Sequence, residues 1–352
     1  MTLLSLALSL AMPAAQAGYG DVIDGYPRAS ERALHLWTNA ARVDPGAFEN
    51  YYDCPMSGWQ AYEREPQRPI SMDYDLLEAA RFHSQDMSDN NHFAHESSDG
   101  TPFASRLARF YDSGFVGENI AYGYPDEFDV VFGGWMCSPG HRANIMLPDW
   151  IELGTGVVGT YYTQNFGGGA ADTAGAVKMG AHWPVDALVR AELYADWHDD
   201  AAPERFNVVV DGKATAMTLE YGAAEMGVYL AELEHENAGC HAYFFVWETA
   251  DGDTGAFPEG GSYLYGEGCA DQFGEDAAQA GFVEAQEGGG GGGGGAGGPN
   301  GGSNGTDSWE GDGGTEFDVD DIEMVGCSSG RSPAGLGLAL LGLGLVGWRR
   351  RD

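Results

Sequence analysis

The chain has 352 residues, 43% of them hydrophobic, which is enough for a buried core and about two domains. Its formal net charge is -37 and only Lys178 and Lys213 are lysines, so its surface repels phosphate backbones and general nucleic-acid binding is excluded. Much of the glycine falls in one block without a three-residue period, which excludes collagen. Residues 1–17 read as a secretory leader: an apolar run over 3–12, then Pro13, then Ala15-Gln16-Ala17 as a small-x-small site, with the cut expected after Ala17.

Residues 30–168 begin helical. Ser30 is expected to cap a helix whose inward face carries Ala33, Trp37, Ala40 and Ala41. Asp75 opens a second helix, with Leu76, Ala80, His83 and Met87 at helical spacing. Thr101 caps a third that has Pro102 at its first position and Phe103, Leu107 and Phe110 on one face. Residues 126–136 supply a fourth, and 154–166 read as two strands about a glycine turn. Helices first and strands afterwards give an α+β class without βαβ alternation. Residues 176–283 read as a small all-β, sandwich-like domain. There, 206–210, the Asp211-Gly212 turn and 214–219 form a hairpin, and 227–230, 241–247 and 262–265 add strands. Asp251-Gly252-Asp253 lacks the rest of an EF-hand pattern and reads as an acidic turn.

Residues 284–325, with eight consecutive glycines over 288–295, are an expected Gly-rich acidic linker that cannot bury enough apolar surface to order itself. The tail, 326–352, orders Cys327-Ser328-Ser329-Gly330, an apolar stretch over 333–348, and Arg349-Arg350-Arg351. It resembles the myxobacterial C-terminal sorting tail, MYXO-CTERM. That resemblance implies processing near Cys327 by a sorting protease and delivery to the cell surface or outer membrane, followed by retention or release. The arginines would stay on the cytoplasmic side. With Cys327 assigned to the tail, Cys54, Cys137, Cys240 and Cys269 form an even set suited to disulfides in an oxidising compartment. Three pairings are possible. Cys54–Cys137 with Cys240–Cys269 keeps each bridge within one region.

Few residues carry chemistry. His95, Glu118 and His141 are two histidines and a carboxylate, the donor set of some catalytic zinc sites, and tertiary structure alone could bring them together. Ser138 and Cys137 each lie near His141, but neither has a visible oxyanion turn, and Cys137 is expected to be oxidised.

Four segments, in order, resemble the CAP superfamily (cysteine-rich secretory proteins, antigen 5 and pathogenesis-related proteins; the SCP domain). They are Leu36-Trp37-Thr38-Asn39-Ala40-Ala41-Arg42, then Phe93-Ala94-His95-Glu96, then Gly117-Glu118-Asn119-Ile120-Ala121. The last is Trp135-Met136-Cys137-Ser138-Pro139-Gly140-His141-Arg142-Ala143-Asn144-Ile145, in a version like the bacterial branch. The resemblance implies an α-β-α sandwich over 30–168 and a cleft of two histidines and two acids that in some members holds zinc or another divalent cation. Carried over by motif, His95 is the first histidine, Glu118 the first acid and His141 the second histidine. Ser138 stands where the second acid usually lies, so one formal charge is missing from the ligand set. Gly117 is expected to permit an unusual φ, Pro139-Gly140 to turn His141 toward the cleft, and Trp135, Arg142 and Asn144 to be structural.

The resulting expectation is an exported, surface-anchored binding or envelope-interaction module. Its cleft takes a divalent cation or a small apolar ligand, and its partners are a cell-envelope component, a lipid or a protein. A metal-dependent hydrolase with Glu118 as general base is the alternative from another class, and a purely structural surface protein is the third.

Overall fold

The computed structural model describes residues 17–47, 49, 52, 54–168 and 174–269, and the backbone of 273–274 and 324–326. The body of the expected leader, nearly all of the linker, and Cys327, Arg349, Arg350 and Arg351 lie outside the described residues. No helix among those described is long and apolar enough to cross a membrane.

The first sheet runs β1 (Ser71–Met72), β3 (Glu152–Val158), β4 (Tyr161–Gly167), β2 (Phe115–Tyr122), with the short β15 (Met324–Gly326) beyond β2. The expected pair of strands is the β3–β4 hairpin, which turns at Gly159 with φ +60°. One face of this sheet carries α2 (Tyr74–Asn90). Contact is so close that a Cβ on Gly154 would lie 2.0 Å from the Leu76 backbone, and one on Gly156 2.4 Å from that of Ala80. Glycine is required here for approach.

The opposite face carries α1 (Ala29–Val43), which starts just before the expected cap. The Arg28 N–H donates to Glu31 Oε2 at 2.7 Å, so Ser30 lies within the first turn. The expected inward stripe understates the burial, because 14 of the 15 residues of α1 are buried. The reason is a second sheet on its far side, ordered β5 (Gly180–Trp183), β6 (Arg190–His198), β10 (Met226–Glu234), β9 (Thr218–Ala223). Alternation along β6 sends Tyr194 against Trp37 (ring centroids 5.0 Å) and Asp196 onto Asn39 Nδ2 (2.6 Å). Trp197 faces the other way, onto Phe206 of a third sheet.

That third sheet is ordered β14 (Phe273–Gly274), β13 (Ser262–Tyr265), β11 (His241–Glu248), β7 (Arg205–Val210), β8 (Lys213–Ala216), with β12 (Thr254–Phe257) on the remaining stretch of β11. The second and third sheets face each other, so the described part of the C-terminal region is all-β, as its short strands and Asp-Gly turn implied. β5, β6, β9 and β12 were not legible. The two regions share one core through α1.

Other boundaries move slightly. Asp73, not Asp75, caps α2, accepting from the Leu76 N–H at 2.8 Å. Pro102 occupies the cap of α3 (Phe103–Leu107) and does not begin it. The fourth helix, α4 (Glu127–Asp129), continues as a π-helical stretch, Val130–Trp135. Pro139-Gly140 is not a free turn but the first turn of α5 (Pro139–Ile145). The disulfides are Cys54–Cys137, which ties α5's entry to the 54–58 segment, and Cys240–Cys269.

Candidate functional site

Pleating puts Glu118, Ile120 and Tyr122 of β2 on the α2 face and Asn119 on the α1 and α5 face. Glu118 is fully buried. Its Oε1 accepts from His95 Nδ1 at 2.9 Å, and its Oε2 accepts from Arg106 Nη2. The Asn165 amide, directly across on β4, completes the set in the orientation that satisfies both its neighbours. It then donates to Glu118 Oε2 at 2.9 Å and accepts from the Ala80 N–H at 3.0 Å. His83 of α2 lies 3.8 Å from Oε1 and donates to the Ala94 carbonyl at 3.0 Å.

Burial alone would push the Glu118 carboxyl up, but Arg106, His83 and His95 outweigh it and hold it below the usual carboxylate range. Glu118 is therefore ionised and fully engaged. It orients His95, whose Nδ1 points at it and whose Nε2 points away, as a carboxylate does behind a histidine ligand. Arg106 also grips the loop itself, donating to the His95 carbonyl at 2.7 Å and to Ser97 Oγ at 3.2 Å.

His141 is the third residue of α5, and its backbone carbonyl accepts from Asn119 Nδ2 at 3.2 Å. Burial, with His95 close enough to add to the effect, pushes its imidazole down to about 4, so it is neutral at pH 7. Ser138 is the half-buried N-cap residue of α5, and no hydrogen bond joins it to the His141 ring among the described residues. Thus His95 and Glu118 are in direct contact, His141 is within electrostatic range of His95, and Ser138 adds no charge. A cleft metal held by Glu118 does not fit this arrangement. Both carboxylate oxygens are taken, and the guanidinium of Arg106 already supplies the cation.

Several motif residues are architectural. Trp135 is core and donates to the Ile120 carbonyl at 3.1 Å. Arg142 pairs with Glu63 at 3.3 Å over the Trp59 ring. Asn144 bonds Asn119 at 3.1 Å and the Glu118 carbonyl at 3.2 Å. Gly117 needs no positive φ. It is glycine because a Cβ would lie 2.8 Å from Trp150 and Asn144.

Arg106, Asn165 and the role of His83 were missed. Arg106 left a signal, since it sits at i+3 from Phe103 and beside Leu107, an arginine on an apolar face. Beyond the polar group lies an aromatic strip: Phe93 and Tyr161 pack with Met87 and Ile120, and Tyr122 packs tilted against Tyr161 (ring centroids 4.5 Å) and approaches Phe93 (6.2 Å). Tyr122 is 51% exposed.

The model of the cysteine-rich secretory protein family, CAP, matches residues 37–168. Over this stretch the chain is similar to CAP domains. Two relatives from Bacillus subtilis (strain 168) agree. The uncharacterized membrane protein YlbC is 42% identical over 98 residues, 28% of this chain and 28% of its own length. The uncharacterized protein YkwD is 40% identical over 109 residues, 30% of this chain and 42% of its own length. The chain thus spans less than half of either relative. Among solved structures, an extracellular SCP-domain protein of Bacillus anthracis str. Ames is 38% identical, over 28% of this chain and 34% of that one, with a TM-score of 0.27. An outer surface protein of Borrelia burgdorferi is 22% identical, over 29% of this chain and 78% of that one, with a TM-score of 0.26.

Proposed function

We propose that the chain is an exported, surface-retained binding protein whose CAP cleft takes a small ligand with an apolar body and a polar end. The observation that carries this reading is the pairing of neutral, half-buried His141 beside His95 with an aromatic strip in which exposed Tyr122 lies over half-buried Phe93 and buried Tyr161. Tyr122 is four residues beyond Glu118 on the same strand face, about 13 Å at the rise of a β-strand, so a ligand of that length would reach both ends. Export is supported by the leader pattern and the two disulfides, which persist in oxidising compartments. Surface retention rests on the tail pattern around Cys327.

The hydrolase alternative asks Glu118 to accept a proton from water. It is fully buried against Arg106 and held below the usual carboxylate range, which makes it a poor base. The test is native mass spectrometry of the full chain, exported into an oxidising compartment and purified without chelator or detergent. Wild type is expected to carry a small-molecule adduct that His141→Ala and Tyr122→Ser both lose. A bare mass for wild type, or an adduct indifferent to both substitutions, would remove the cleft from consideration.

A further inference from the structure

A second group of metal-ligating side chains lies in the all-β region, outside the CAP-like stretch. Asp211 occupies the β7–β8 turn at φ +51°, an unusual value for a residue with a side chain. It is anchored there by two bonds to the start of β11: its N–H donates to the Ala242 carbonyl at 2.9 Å, and its Oδ1 accepts from the Ala242 N–H at 3.0 Å. Its other oxygen, Oδ2, meets Nδ1 of His241 at 2.6 Å. His235 follows β10, fixed by its N–H to the Val189 carbonyl at 2.8 Å, and its ring stacks on that of His241 with centroids 3.7 Å apart and planes 13° from parallel. The Tyr265 hydroxyl holds His235 Nε2. The Cys240–Cys269 bridge pins the residue just before His241.

We propose that Asp211, His235 and His241 bind a divalent transition-metal ion of the zinc type. One ligand atom from each lies within 4.8 Å of the others, and this is the one such trio among the described residues. Two imidazoles and a carboxylate suit zinc and its neighbours better than calcium or magnesium, which take oxygen ligands. The site is reached from solvent, because the Asp211 side chain is 49% exposed while the His241 ring is 9% exposed. Asp211 Oδ2 and His241 Nδ1 are already closer than the about 3.3 Å between ligand atoms of a tetrahedral shell with bonds of about 2.0–2.1 Å, so binding separates this pair and turns the His235 ring out of its stack until its lone pair meets the same ion. Tyr265 then acts behind His235, fixing the ring as partners beyond the ligands do in metal sites. Three protein ligands leave a fourth position for water or for a donor from a binding partner.

The test uses the full chain without a histidine tag, stripped with chelator and titrated with Co²⁺ alone. Co²⁺ bound by imidazoles in a near-tetrahedral shell gives visible absorption that carboxylates scattered over an acidic surface do not. The expected result is one saturable equivalent whose absorption Zn²⁺ abolishes by competition. His235→Ala and Asp211→Asn should each weaken it at least tenfold without changing the melting temperature in chelator. His95→Ala and His141→Ala should leave it intact, which separates this site from the cleft. Absence of saturable absorption, or absorption lost with His95→Ala and kept with His235→Ala, overturns the proposal.

Discussion

Arg106→Met tests whether Glu118 is a locked structural carboxylate. Both side chains of this pair are fully buried, so the substitution leaves an ionised carboxylate with only His95 and Asn165 as donors. Removing one partner of a buried ion pair costs about 3–5 kcal/mol. For a cooperative unit of this size, where 1 kcal/mol moves the midpoint by about 2–4 °C, the melting temperature should fall by about 6–20 °C. Glu118→Gln in the Arg106→Met background removes the stranded charge and should recover about half of that loss. The pH dependence has a definite sign. Without Arg106, burial raises the Glu118 carboxyl above its unfolded value, so the variant regains stability as pH falls and loses it as pH rises through the new value. The assay is urea denaturation of wild type, both single variants and the double variant at pH 7 and pH 5. A loss under about 1 kcal/mol for Arg106→Met, or additive losses in the double variant, would refute the reasoning.

Three further outcomes follow from the structure. Asn39→Ala strips Asp196 of the amide that donates to its Oδ2, and an under-satisfied buried carboxyl should cost about 1–3 kcal/mol in a urea melt. His141 is held near 4 against an unfolded value of about 6.5, so its contribution is complete above that value and lost as pH falls. Relative to His141→Asn, wild type should lose up to about 3 kcal/mol between pH 6.5 and 4. Reduction should hit the two bridges unequally. Loop-closure entropy gives about 4.5 kcal/mol for Cys54–Cys137, separation 83, and about 3.6 kcal/mol for Cys240–Cys269, separation 29, which Cys→Ser pairs would show as unequal shifts in urea midpoint.

Elements with local signals were legible: the α2 stripe that placed His83 inward, the β3–β4 hairpin, the Asp211-Gly212 turn and the pairing of cysteines within regions. What was not legible depends on partners distant in sequence. The polar residues Arg32, His35 and Asn39 of α1 look exposed in a helical stripe, yet all are buried by partners far away in the chain: Arg32 lies over the Tyr263 ring, His35 bonds the Ile70 carbonyl and Asn39 bonds Asp196 of β6. Glu118 looks like a metal ligand by motif, and only the tertiary approach of Arg106 and Asn165 makes it a support for His95. Asp211, His235 and His241 share no spacing rule, since a turn, a strand end and a strand start bring them together.

The most direct measurement is a fluorescence titration of the full chain with Nile red, a neutral apolar probe that a charge of -37 does not repel. Saturable binding at one equivalent is predicted, weakened about fivefold or more by Tyr122→Ser, as expected for losing an aromatic contact of about 1 kcal/mol, and weakened also by His141→Ala. His235→Ala should bind like wild type. Binding that neither cleft substitution alters would contradict the reading of this cleft as the ligand site.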